Sequence, residues 1–77
     1  MPAKETHPAL MRFGHNVRAL REKRELSQEQ LAEIADLDRT YVDGLERGER
    51  NATLGTILRV PKALTTTVSE LCKGIER

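Results

Sequence analysis

At 77 residues, with 13 Lys and Arg against 12 Asp and Glu, the chain is long enough for one small domain and carries a formal charge of only +1. A fold of this size buries about 60% of the surface its unfolded chain exposes, which makes an enzyme-sized cleft an unexpected feature. The single Cys72 excludes an internal disulfide and a Cys-rich metal site, in keeping with a reducing cytoplasm, no apolar run reaches membrane-spanning length, and the start MPAKETHPAL lacks the apolar stretch of a secretory signal.

Sustained period-two alternation is absent and helical spacing recurs, so the expectation is an all-α, compact five-helix bundle. It forms one domain over residues 1–77 with a short N-terminal arm, 1–7. The first helix starts near Pro8, a residue suited to a first turn, and ends around Arg24, with Leu10, Phe13, Val17 and Leu20 on one face. Ser27 opens a second helix over 28–35, and Gln30 completes a capping box that satisfies otherwise orphan backbone donors. Asp36, Leu37 and Asp38 make a tight turn, in which Asp36 suits a left-handed backbone and Asp38 caps the third helix. Gly48 stops that helix. Thr53 caps a fourth, whose apolar face reads Leu54, Ile57, Leu58, Pro61 and Leu64. Thr67 and Glu70 form another capping box, and the last helix presents Val68, Leu71, Cys72 and Ile75, too few positions to bury alone.

Residues 28–47, QEQLAEIADLDRTYVDGLER, thus place two short amphipathic helices about a tight turn, at the spacing of a DNA-reading helix-turn-helix. Leu31, Ala35, Leu37, Val42 and Leu45 form the inward set, and Ala32 is small where the two helices must approach closely. Charge is unevenly spread. Residues 9–26 carry an excess of three positive charges, whereas 27–47 carry an excess of four negative ones, so affinity for DNA must come from placed groups rather than a basic field. His7, His15 and Cys72 are scattered, and no nucleophile, base and orienting group share a recognisable spacing; neither an enzyme nor a metal or cofactor site is expected. Asn51-Ala52-Thr53 spells a glycosylation acceptor, a chance match without a secretory route.

The segments LREKRELSQEQLAEIADLDRTYVDGLERGERNATL and VPKALTTTVSEL resemble the Cro and phage-repressor type of helix-turn-helix family, the XRE type, over roughly residues 10–71. Within it, LDRTY followed by a hydrophobic residue and, further on, GLERG look most like the restriction-modification controller proteins, small dimeric regulators of their own operons. The resemblance implies that the second motif helix enters the major groove with its N-terminal side chains at the base edges. Arg39 sits at that tip and its fork matches the two acceptors of guanine; Thr40 lies beside it for a thymine methyl or a hydrogen bond. Tyr41 either touches the phosphate-sugar backbone or is partly buried beside Val42. Ser27 and Gln28 are expected to anchor a phosphate at a helix N-terminus while serving as caps. Arg47, Arg50, Asn51 and Thr53 fall in a segment that the family fold runs along the duplex backbone, with Arg50 and Asn51 preferred and Arg47 alternatively paired to Asp43. A partly buried structural pair between Arg21 and Glu46 is also implied.

Two residues depart from the family pattern. Asp43 stands on the outward face where a neutral polar residue is usual, and either accepts from a cytosine amino group or neutralises Arg39 across one turn, narrowing or weakening operator binding. Pro61 stands where alanine is common and predicts a kink or early end of the fourth helix, followed by Thr65 where a glycine is usual. By resemblance a twofold seam of Leu64, Val68, Leu71 and Ile75 is expected, although on composition alone these serve equally as monomer core. The functional expectation is a dimeric, sequence-specific regulator of transcription in the cytoplasm, bound to double-stranded DNA at a near-palindromic operator. The alternative is an antitoxin or interaction module gripping a protein partner, polymerase or toxin.

Overall fold

Capping chemistry sets where most of the helices begin and end. The computed structural model describes residues 7–75, and among these the helices are α1 Pro8–Lys23, α2 Gln28–Ala35, α3 Arg39–Glu46, α4 Leu54–Ala63 and α5 Val68–Leu71. The expected arm lies outside the described residues except for His7, whose Nδ1 accepts from the Ala9 N–H at the start of α1. At α2 the capping box is complete: the Gln30 N–H donates to Ser27 Oγ at 3.0 Å and the Ser27 N–H to Gln30 Oε1 at 2.8 Å. Thr53 and Thr67 accept from the backbone N–H groups of Thr56 and Glu70. Asp38 occupies the N-cap position of α3 with extended backbone, but its side chain makes no capping bond, which corrects the expected role.

Four helices close with the same device, in which one residue turns left-handed and the next N–H reaches back to a carbonyl five residues earlier. The bonds are Leu26 to Arg21, Leu37 to Ala32, Glu49 to Gly44 and Thr66 to Pro61, at 2.7–3.0 Å. The left-handed residues are Glu25, Asp36, Gly48 and Thr65. Only Gly48 holds that conformation without a Cβ penalty; Thr65, β-branched at φ +58°, is the most strained of the four.

The core draws on every helix: Phe13 and Val17 from α1, Leu31, Ala32 and Ala35 from α2, Val42 and Leu45 from α3, Val60 from α4 with Leu64 behind it, and Leu71 from α5. Helix α4 turns Ile57, Pro61 and the following Leu64 inward as its pattern predicts, but not Leu54 and Leu58. Leu54 and Leu58 are 72% and 58% exposed, while Thr56, Val60 and Pro61 are buried. Nor does α4 end early at Pro61. The ring forfeits only the bond to the Ile57 carbonyl, and the helix runs on to Ala63. Leu64 and Leu71, expected at a subunit seam, are enclosed within this one chain, whereas Val68 and Ile75 keep accessible surface.

Long polar side chains cap helix ends across the bundle. Asn16 Nδ2 donates to the carbonyls of Leu71 and Lys73 at 2.8 and 2.9 Å, Arg24 Nε to that of Leu64 at 2.8 Å, and Arg59 Nη1 to that of Asp36 at 3.1 Å. These bonds tie α1 to the α5 end, α1 to the α4 end, and α4 to the turn of the motif. Helices α1 and α3 meet at Gly14, where a Cβ would fall 2.7 Å from the Glu46 carbonyl oxygen and closer still to that of Leu45. Both obstacles are backbone and cannot swing aside. Gly14→Ala is therefore expected to destabilise the fold by about 3 kcal/mol, read as a lower urea midpoint with unchanged slope. Thr65→Gly is expected to raise stability by about 1 kcal/mol, since it relieves the left-handed strain; a lower midpoint would show that strain to be absent.

Candidate nucleic-acid interface

Helix α3 presents different chemistry on successive rows. Val42 and Leu45 point into the core, Glu46 faces α1, and Arg39, Thr40, Asp43 and Arg47 form an outward edge, of which Asp43 is half-buried. Tyr41 and Gly44 adjoin the segment 49–53 that leads to α4.

The row facing α1 is clamped. Arg21 Nε lies 2.6 Å from Glu46 Oε2 and Nη2 lies 3.1 Å from Oε1, a two-pronged pair with side-chain exposures of 11% and 2%. The remaining arm of the guanidinium, Nη1, donates to the Leu26 carbonyl at 2.7 Å, in the turn between α1 and α2. Gln28, at the first turn of α2, sends its amide to Glu46 Oε1 at 3.0 Å and to Asp43 Oδ1 at 3.1 Å. Three helices thus meet at one carboxylate. The hydrogen bond that Arg21 donates to Glu46 raises the Arg21 pKa above its ordinary value, outweighing the burial that lowers it. Among the described residues no buried side-chain nitrogen or oxygen lacks a partner.

The outward edge sorts its charges. Asp43 is held by Gln28 and by Arg47 Nη2 at 3.2 Å, so the considered pair with Arg39 does not form and the Asp43–Arg47 pair does. Arg47 also reaches Glu49 at 3.4 Å. Arg39 has no intramolecular partner among the described residues and stands exposed at the first position of α3. With Arg21, Ser27, Gln28 and Glu29 it lines a shallow polar hollow between the starts of α2 and α3. As the first two N–H groups of α2, those of Gln28 and Glu29 lack acceptors in the helical ladder, a setting that favours an anion.

Tyr41 is half-buried, and its hydroxyl meets the Asn51 carbonyl at 3.3 Å and Thr56 Oγ1 at 3.2 Å. Thr53 Oγ1 donates to the same Thr56 hydroxyl at 3.1 Å. One polarity satisfies all three contacts: Thr53 donates to Thr56, Thr56 to Tyr41, and Tyr41 to the Asn51 carbonyl. Such a chain strengthens each member and pins the segment carrying Arg50 and Asn51 beside α3. The Arg50 guanidinium lies over the Tyr41 ring, 5.8 Å from its centroid.

Of the residues expected at the interface, Arg39, Thr40, Arg50 and Asn51 are exposed along or beside α3; the Ser27 and Thr53 hydroxyls serve their caps, and the Gln28 amide serves the clamp. Sequence reasoning missed Gln28 as a bridge between Asp43 and Glu46, Thr56 as the buried link to Tyr41, and the closely packed Gly14 and Gly44. A glycine inside each of two helices was the available signal, since glycine weakens a helix unless packing requires it.

Two short helices crossing about a left-handed turn, the second with an exposed polar edge and a free arginine at its tip, define a helix-turn-helix protein. A family profile described as helix-turn-helix matches residues 17–71, and the chain belongs to that family. It is similar to the control protein C.SmaI of Serratia marcescens, with 55% identity over 59 residues, 77% of this chain and 70% of that one. Similarity to the control protein C.MunI of Mycoplasma sp is 44% over 68 residues, 87% of this chain and 92% of that one. The crystal structure of the restriction-modification controller protein C.AhdI from Aeromonas hydrophila superposes with a TM-score of 0.82 at 46% identity, covering 84% of this chain and 98% of that one.

Removing one partner of the clamp strands a buried charge, so Arg21→Ala or Glu46→Gln should cost about 3–5 kcal/mol in denaturant unfolding. Replacing both, Arg21→Met with Glu46→Leu, should restore most of that loss. Equal losses in single and double variants would contradict the pair as the origin of the effect.

Proposed function

We propose that this protein is a restriction-modification controller: a dimeric regulator of transcription that acts in the cytoplasm and reads a near-palindromic DNA site with the exposed edge of α3. The observation that carries this reading is the distribution of charge on that edge, where Arg39 stands unpartnered while the adjacent carboxylate of Asp43 is engaged by Gln28 and Arg47. The names of the similar proteins, control protein and controller protein, supply the regulatory role.

An eight-residue helix is about 12 Å long and meets only a few base pairs, so a second copy is needed for a specific site. Arg39 and Thr40 read base edges, and Asp43 accepts from a cytosine amino group where Gln28 and Arg47 leave an oxygen lone pair open. The N-terminus of α2 at Ser27 and Gln28 takes a phosphate through backbone N–H groups rather than through the capped hydroxyl. Arg50 and Asn51 contact the backbone beside α3, Arg47 contributes positive charge already shared with Asp43, and Tyr41 and Thr53 act by holding the segment that carries Arg50. Val68 and Ile75 remain the seam candidates, joined by the exposed Leu54 and Leu58 of α4.

Selection of bound sequences from a random duplex pool tests the reading. Recovery of a symmetric motif with half-sites about 34 Å apart is the expected result, and a pool without enrichment overturns it. Arg39→Ala should cost about 1–3 kcal/mol and relax preference at one position per half-site; loss that is uniform across sequences would make Arg39 a phosphate contact instead.

A further inference from the structure

We propose that Gly44 is a positioning residue for DNA binding, its missing side chain forming the seat that holds Arg50 against α3. The proposal rests on the reading of Arg50 as a contact to the duplex backbone.

Gly44 sits in the middle of α3, where glycine is a poor helix former, and it is buried although it carries no side chain to bury. What lies nearest to it is Arg50. A Cβ built there would meet Arg50 Cγ at 2.6 Å, Nε at 3.2 Å and Cδ at 3.5 Å, and these are the three nearest atoms. The aliphatic stem of Arg50 therefore lies flat in the notch, and its guanidinium comes to rest over the Tyr41 ring one turn back along the helix. Tyr41 is itself fixed, because its hydroxyl bonds the Asn51 carbonyl and Thr56.

An exposed arginine is rich in rotamers, and binding through it normally costs the entropy of fixing them. With its stem seated on Gly44 and its head on Tyr41, Arg50 is already ordered before DNA arrives. The atoms a methyl group would displace belong to an exposed side chain and not to backbone, and the closest of them, Cγ, clears by rotation about the Arg50 Cα–Cβ bond. That contrast with Gly14, where a methyl group meets backbone, gives the two glycines opposite signatures. Adding a side chain at Gly44 improves the helix and evicts Arg50.

The test uses the full chain, a mixed-sequence duplex as probe, and four proteins: the parent, Gly44→Ala, Arg50→Ala and the double variant. Gly44→Ala is expected to hold or raise Tm while weakening duplex binding about threefold to tenfold and reducing the salt slope by up to about 0.9, the value of one phosphate contact. The double variant is expected to bind as Arg50→Ala alone does, because the glycine acts only through the arginine. If Arg50→Ala weakens binding and Gly44→Ala does not, or if the two losses add, the seat is overturned while the backbone contact stands. Parent-like binding by Arg50→Ala overturns the contact and the seat together.

Discussion

The two-pronged pair of Arg21 with Glu46 is the constraint on which the motif depends. Helix α3 has only eight residues, too few to persist in water by its own hydrogen bonds, so its orientation must come from tertiary contacts. Val42 and Leu45 supply area, but apolar contacts are not directional and leave the helix able to roll. The carboxylate of Glu46 removes that freedom: Arg21 fixes it from α1, and Gln28 fixes it from α2. Rotation of α3 that would move Arg39 off its edge would also break a buried, charge-assisted bond. Close approach at Gly14 makes the geometry possible by letting α1 and α3 come near enough for the pair to form.

The same clamp solves an electrostatic difficulty. The motif is acidic overall, and a duplex would be repelled if its carboxylates faced outward uncompensated. Glu46 is buried against a cation and Asp43 is shared between an amide and Arg47, so the charges that remain without a carboxylate partner on and beside this edge are the arginine at the tip and the arginine of the following segment. Attraction by placed cations and hydrogen-bond donors suits a protein of charge +1, whose long-range field is weak.

Much of the fold is legible in local sequence. Pro8, the Ser27–Gln30 box, Asp36 and Gly48 fix boundaries because capping and left-handed turns are decided within a few residues, and each lies where it was expected. Legibility failed where a polar side chain had to be judged from afar. Thr56 faces the core because Tyr41 and Thr53, one in another helix, satisfy its hydroxyl, and burying it swings Leu54 and Leu58 outward against the apolar pattern. Leu64 and Leu71 read equally as core or seam, and only the packing of the helices against one another encloses them. Asp38 stands at the position of a cap without making the capping bond, a distinction that residue type does not carry.

By itself, then, the amino-acid order determined the helices, their limits, the crossing motif and the arginine at its tip, since those follow from short-range propensity, capping and periodicity. Tertiary structure alone decided which carboxylates are engaged, which leucines face solvent, and that a glycine in α3 lies beneath Arg50. The physical reason is that charge compensation, burial of a hydroxyl and seating of a side chain each need partners from other turns of the chain, brought together only when the helices pack.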